Sequence, residues 1–406
     1  MSNIQARKSS AKIQLVDKNG KPLANKTFSF NQTKHEFLFG CGAFDSVVYA
    51  NNYAPDKQEF FKERMDKWLE IFNYGTLPFY WGGYEREEGK PNKKGLMAAA
   101  KFLDKNYVTV KGHPLCWHTA CAPWLIKYDD KTILEKQLER IRRDVSAFKG
   151  TIDIWDVINE VVIMPIYDKY DNAITRICKM KGRVGLVKEV FKTAKETNPD
   201  GMFLINDFNL STNYEILIDG CLQAGAPITC IGLQSHQHQG VWSRDKLEEI
   251  LARFEHFGLP IHFTENTIVS GPKVPAYITD LQDWHYEDGV STPKLEDKQA
   301  SDMEKMYRAV FEEHPLVTGF TTWDFSDGAW LNAPSGFIRK DNSEKPSFQM
   351  LKGLVKDEWW TKAEYTTDAK GYATVEGFKG EYIISCGSKK ADFILKEKKN
   401  EKKIVL

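Results

Sequence analysis

Between residues 36 and 356, eight short apolar runs alternate with amphipathic stretches, and this alternation restricts the possible folds more than any other feature of the chain. The runs cover 37–41, 72–77, 108–113, 152–158, 202–206, 228–234, 261–265 and 317–323. Helical periodicity fills the gaps, as at 133–148, 184–196, 245–257 and 298–313. Repeated strand–helix units build a parallel sheet. Eight of them favour a closed (β/α)8 TIM barrel over an open sheet, because closure removes both unpaired edges. The chain has 406 residues, more than the roughly 250 such a barrel needs, so additions are expected.

The additions fall at the two ends. Residues 11–31 read as short strands, with 12–16 alternating in polarity and Asp17-Lys18-Asn19-Gly20 as a hairpin turn. Beyond 362, the stretches 372–375, 382–386, 391–395 and 403–406 have the same character, and the Lys-rich 396–403 reads as a solvated turn. Neither end carries enough apolar surface to fold alone. Segments 1–35 and 357–406 are therefore expected to combine into a small accessory β-sandwich beside a (β/α)8 barrel over 36–356. Two independent decorations are the other arrangement. A stabilising scaffold role is expected of the sandwich.

Lys+Arg and Asp+Glu balance at 56 each, so nothing in the charge points to nucleic acid or an acidic membrane. An apolar content of 42% with 13% aromatics supplies a large core and excludes wholesale disorder. The seven cysteines are scattered without a Cys-x-x-Cys pair, which reads as free thiols. Residues 1–10 lack the apolar centre of a signal peptide, and no apolar run approaches the roughly 20 residues of a membrane span. The expectation is a soluble monomer, secreted if a leader was removed and cytoplasmic otherwise.

In such barrels the active site lies at the C-terminal ends of the strands. Here those ends carry His113 to His118, Asn159-Glu160, Asn206-Asp207, Gln234-Ser235-His236, Thr264-Glu265 and Trp323-Asp324. Taken singly, a strand-end His or Asn is more often a satisfied structural group. The joint pattern asks for another reason. Two glutamates at strand ends suit glycosidic cleavage, in which retaining enzymes hold an acid/base and a nucleophile about 5–5.5 Å apart. The acid needs a raised pKa, for which Trp155 and its apolar run offer dry surroundings. The nucleophile must stay ionised, and His236 is a candidate donor to it. Asn159 suits the sugar 2-hydroxyl. His236-Gln237-His238 lacks a matched third ligand, so no metal and no cofactor are expected.

These residues sit in motifs that resemble glycoside hydrolase family 10, the (β/α)8 retaining β-xylanases with catalytic glutamates on strands 4 and 7. The matching stretches are 112–118, Trp155-Asp156-Val157-Ile158-Asn159-Glu160, 205–209, 231–236, Phe263-Thr264-Glu265 and 322–330. The resemblance implies Glu160 as acid/base and Glu265 as nucleophile. It implies that His113 and Asn159 hold the sugar, that Gln234 and His236 orient nucleophile and sugar, and that Trp323 and Trp330 form aromatic platforms. His118 falls on the acid/base side, Asn206 on strand 5 joins the substrate-binding set, and Trp117 reads as packing.

The pattern departs from the family after strand 2. There the family carries a Glu-Asn and a Lys-Trp pair, whereas this chain has Thr76-Leu77-Pro78-Phe79-Tyr80-Trp81, keeping Trp81 with Glu85 and Gly89 in register. Tyr80 and Trp81 beside Gly82-Gly83 imply a reshaped aromatic subsite. Asn266-Thr267 replaces the family's Leu-Asp after the nucleophile, and Asp324 replaces a glycine. The implied activity is endo-1,4-β-xylanase on a β-linked polysaccharide, with β-glucan or decorated xylo-oligosaccharides as other substrates. A non-catalytic carbohydrate-binding protein on a barrel scaffold is the reading from a different class. The long loop 266–296 is expected either to wall the cleft or to pack its own aromatics at the surface.

Overall fold

The computed structural model describes residues 3–397 and 401–406. Eight parallel strands close into a barrel: β1 (Leu38–Gly42), β2 (Tyr74–Pro78), β3 (Thr109–His113), β4 (Ile154–Asn159), β5 (Met202–Asp207), β6 (Cys230–His236), β7 (Ile261–Thr267) and β8 (Val317–Thr322). Each falls within two residues of an apolar run read from the sequence. The strands are buried on both faces, lumen and helix layer, which is why they read as continuous apolar runs rather than alternating ones. The outer helices start where side chains satisfy free amide groups. Asp129 accepts from Thr132 N ahead of Asp130–Phe148, and Thr292 accepts from Leu295 N ahead of Pro293–Glu313.

Trp155 on β4 does not take the expected place. Its ring lies between strand and helix against Phe79 and Phe148, with centroids 4.8 and 6.2 Å away, so it does not furnish dry surroundings for Glu160. A Cβ on Gly112 of β3 would stand 2.2 Å from the Trp155 ring, so only glycine fits there. The lumen beneath the strand ends instead holds a buried ion pair, Lys111 Nζ to Asp156 Oδ2 at 2.7 Å.

The two chain ends form two further sheets. One has three strands in the order Tyr372–Phe378, Lys8–Val16, Glu401–Val405; the other has four, Lys362–Thr366, Thr27–His35, Gly380–Cys386, Lys389–Leu395. Ile13, Leu15 and Val375 from the first share one core with Phe28, Phe30 and Phe393 from the second, and Phe30 stacks on Tyr382 at 4.0 Å. The Asp17 turn forms, with Gly20 N donating to Asp17 O at 2.9 Å, and closes a short antiparallel pairing of Val16 with Pro22; the longer strands on either side then enter different sheets. One expectation needs correcting. Residues 401–403, read as the end of a solvated turn, belong with the expected strand at 403–406 to one strand, Glu401–Val405, parallel to Lys8–Val16; residues 398–400 lie outside the described residues.

Arg7 ties this unit to the barrel. Its Nε donates to Phe311 O, and its Nη2 to His314 O and Val317 O, each at 2.8 Å. The guanidinium thereby caps the C-terminus of Pro293–Glu313, where cations are favoured. Val317 opens β8, so the contact is at the N-terminal end of the strands, away from the glutamates. All seven cysteines are free thiols. Among the described residues, no helix is long and apolar enough to cross a membrane.

Candidate active site

The C-terminal ends of the barrel strands surround a cleft of about 1030 Å³ that contains both Glu160 and Glu265. Glu160 directly follows β4 with φ at +56°, a left-handed conformation that costs energy for any residue with a Cβ. Its amide donates to Asn206 O at 2.8 Å, which fixes the turn. The side chain accepts at Oε2 from Trp117 Nε1 (2.8 Å) and at Oε1 from Gln234 Nε2 (3.2 Å). Burial first, and then the negative charge of Glu265, raise its pKa to about 8 against these two donors. Glu160 is therefore protonated at neutral pH and can donate a proton.

Glu265 lies within β7 and is pushed the other way. Asn206 Nδ2 donates to Oε1 at 2.9 Å and His236 Nε2 to Oε2 at 3.1 Å, while His113 Nε2 stands 3.9 Å from Oε1. Burial alone would raise its pKa; the charge of His113, the His236 hydrogen bond and Lys111 outweigh it, and the carboxyl is held below its ordinary range. The supporting histidines are themselves fixed. Thr267 Oγ1 lies 2.9 Å from His236 Nδ1, and His113 Nδ1 donates to Asp156 at 2.7 Å. Environments that push two carboxyls apart in this way assign one as acid and one as anion.

A chain of amides joins the two. Gln234 donates to both Glu160 and Asn159 Oδ1, each at 3.2 Å; Asn206 donates to Asn159 Oδ1 at 2.7 Å and to Glu265. Asn159 and Asn206 are thus buried members of the network behind the cleft surface. His113, His118, Gln234, His236, Tyr80, Trp323 and Trp330 line the cleft itself. Trp323 meets His113 edge-on at 5.3 Å, Tyr80 meets His113 at 5.6 Å, and Trp330 lies over His236 at 4.6 Å.

Trp81 is not brought to this cleft. It is buried behind the wall, edge-on to Trp124 and under the Arg140 guanidinium, with its indole N–H donated to Glu85. Trp117, read as packing, is instead the donor to Glu160. Phe44 was missed: it follows β1 and meets Trp323 edge-on at 5.4 Å, a strand-end aromatic like those noticed elsewhere. The departure at Asp324 places a carboxyl in the cleft wall, accepting from Ser335 Oγ and raised by burial to about 7. The loop after β7 does both things expected of it. Ile278 to Gln282 line the cleft, while Tyr286 and Trp284 pack with Val274, Ala333 and Leu331. Among the described residues no group of three His, Cys, Asp or Glu could hold a metal.

These opposed shifts give a signed pH dependence. The log of kcat/KM on a substrate with a poor leaving group, such as a xylo-oligosaccharide, is expected to fall above about pH 8 as Glu160 loses its proton, and to fall on the acid side only below the ordinary carboxylate range, where Glu265 protonates. Trp117→Phe removes a donor that favours the ionised form, so the alkaline limb should move to higher pH. An alkaline limb that moves down, or stays in place, would remove Trp117 from this role.

A family model described as Glycosyl hydrolase family 10 matches residues 79–353. Anti-sigma-I factor RsgI6 of Acetivibrio thermocellus is 24% identical over 400 residues, which are 94% of this chain and 45% of that protein. Endo-1,4-beta-xylanase B of Thermotoga neapolitana is 27% identical over 331 residues, 76% of this chain and 87% of that one. The chain thus spans under half the length of the first relative and most of the second. The structure of xylanase 10B from Thermotoga petrophila RKU-1 in complex with xylobiose superposes with a TM-score of 0.62 at 21% identity, over 80% of this chain and 95% of the other. At that identity the likeness is one of fold.

Proposed function

Because the chain belongs to glycosyl hydrolase family 10, we propose that it is a retaining endo-1,4-β-xylanase acting by double displacement. Glu160 delivers its proton to the glycosidic oxygen while a Glu265 carboxylate oxygen attacks the anomeric carbon, and the leaving sugar departs as an alcohol. The anomeric carbon is then esterified to Glu265. Glu160, now ionised, takes a proton from water; the water oxygen attacks the same carbon, and Glu265 leaves as the carboxylate. The observation that carries this reading is two carboxyls in one cleft with unlike surroundings: Glu160 is held by Trp117 and Gln234, while Glu265 accepts from Asn206 and His236, which favour its ionised form.

Xylan is favoured over other β-glycans by the xylanase relatives, among them the one from Thermotoga neapolitana. The test is a product screen over xylan, β-glucan and decorated xylo-oligosaccharides. Xylan should give the dominant release, with the β-configuration retained in the first product seen by NMR. Dominant release from β-glucan would overturn the substrate, and inversion would overturn the mechanism.

A second reading follows from the relative named as an anti-sigma factor, which matches terminal strands as well as barrel. In it the barrel captures sugar as the sensing part of a regulatory protein, and turnover is secondary. Tight xylo-oligosaccharide binding without turnover would favour that reading.

A further inference from the structure

We propose that an ion-pair strap between the loops after β4 and β7 closes the leaving-group side of the cleft and limits how long a leaving group the site accepts. The proposal rests on the glycosidase reading, since Glu160 marks which side the leaving sugar occupies. Lys169, in the loop after β4, reaches Asp280 Oδ2 at 2.6 Å and both Asp283 oxygens at 2.8 Å, in the loop after β7. In the closed ring β4 and β7 are separated by β5 and β6, so the strap spans the whole arc of the mouth above those two strands.

The neighbouring contacts continue the barrier on both sides of Lys169. Tyr170 meets Tyr167 edge-on at 5.2 Å, and Tyr167 lies 4.4 Å from the ring of His118 on the acid/base side. On the far side, Gln239 from the loop after β6 donates to Ile278 O at 2.8 Å and holds the strap's acidic segment down. Tyr167, Ile278 and Asp280 all line the cleft, whereas Lys169 does not. The wall is therefore continuous from the loop after β3 to the loop after β7, with Lys169 as its link.

The link is exposed, Lys169 at 40% and Asp283 at 58%, so it is weak and screened by salt. A strap of this kind is specific but can open. A short leaving group fits beneath it; a long chain must displace it first.

The test compares wild type with Lys169→Ala on an aryl β-xylobioside and on long-chain xylan, at low salt and at about 1 M salt, where the screening length falls to about 3 Å. The ratio of polymer to aryl activity should rise about threefold to fivefold in the variant, the scale that one exposed ion pair can supply. Salt should raise the same ratio in wild type and not in the variant, and Lys169→Arg should restore the wild-type ratio. Equal ratios in both proteins, at unchanged Tm, overturn the strap. Calorimetric binding of xylobiose and xylohexaose separates this outcome from failure of the glycosidase reading. An inert chain that gains affinity for the longer sugar only in Lys169→Ala keeps the strap and loses the enzyme; no gain loses the strap.

Discussion

Glu265→Ala is expected to lower kcat/KM for an aryl β-xyloside by about 10⁴-fold or more, the scale on which removal of a covalent nucleophile acts. No neighbour can take over. His236 and Asn206 are there as donors, aimed at the carboxylate and unable to form the ester. The same substitution has a second readout, independent of turnover. The charge of Glu265 is, after burial, the main cause of the raised pKa at Glu160, so the Glu160 titration should move down from about 8. Carboxyl-labelled NMR or infrared titration reads this directly. Activity within about tenfold of wild type at unchanged Tm would take the nucleophile role from Glu265.

Glu160→Ala should behave differently. General acid catalysis contributes about 10²–10⁴-fold, and only where the departing oxygen needs a proton. A dinitrophenyl xyloside should thus lose little in the bond-breaking step, whereas xylan should lose close to the full factor. The variant should also lose the alkaline limb of its pH profile, because the group that titrates at about 8 is gone. A uniform loss across leaving groups would argue that Glu160 holds the sugar and does not protonate it.

The barrel and its glutamates could be read from the chain because both depend on local order. An apolar run followed by a polar residue is visible in one dimension, and barrel topology places that residue at the mouth. What could not be read depends on contacts across the chain or on a break in the strand's period. Trp117 and Glu160 lie on different strands' loops, and an indole that packs looks the same in sequence as one that donates. Trp155 was assigned to the wrong side for a second reason. The β4–β5 register shifts between Asp156 and Ile158, so simple alternation from Glu160 does not tell which way Trp155 faces. The Asp17 turn specifies a reversal and says nothing about the partner strand. Trp81 survived in the motif, yet Arg140 and Glu85 hold it behind the wall.

The interleaving of the two chain ends has a consequence for synthesis. Among the described residues, the strand partners of Lys8–Val16 are Tyr372–Phe378 and Glu401–Val405, and those of Thr27–His35 are Lys362–Thr366 and Gly380–Cys386. The strands over 8–35 are thus synthesised well before their partners over 362–405. At 5–20 residues per second that interval is about 20 to 80 s, during which two nine-residue strands stand with both hydrogen-bonding edges open. Lysines at 8, 12 and 34 and Asn31 fall along those strands. Charged and amide side chains of this kind discourage pairing with a neighbouring nascent chain. The accessory unit shares this delay with the barrel itself, whose first strand, Leu38–Gly42, closes against Val317–Thr322.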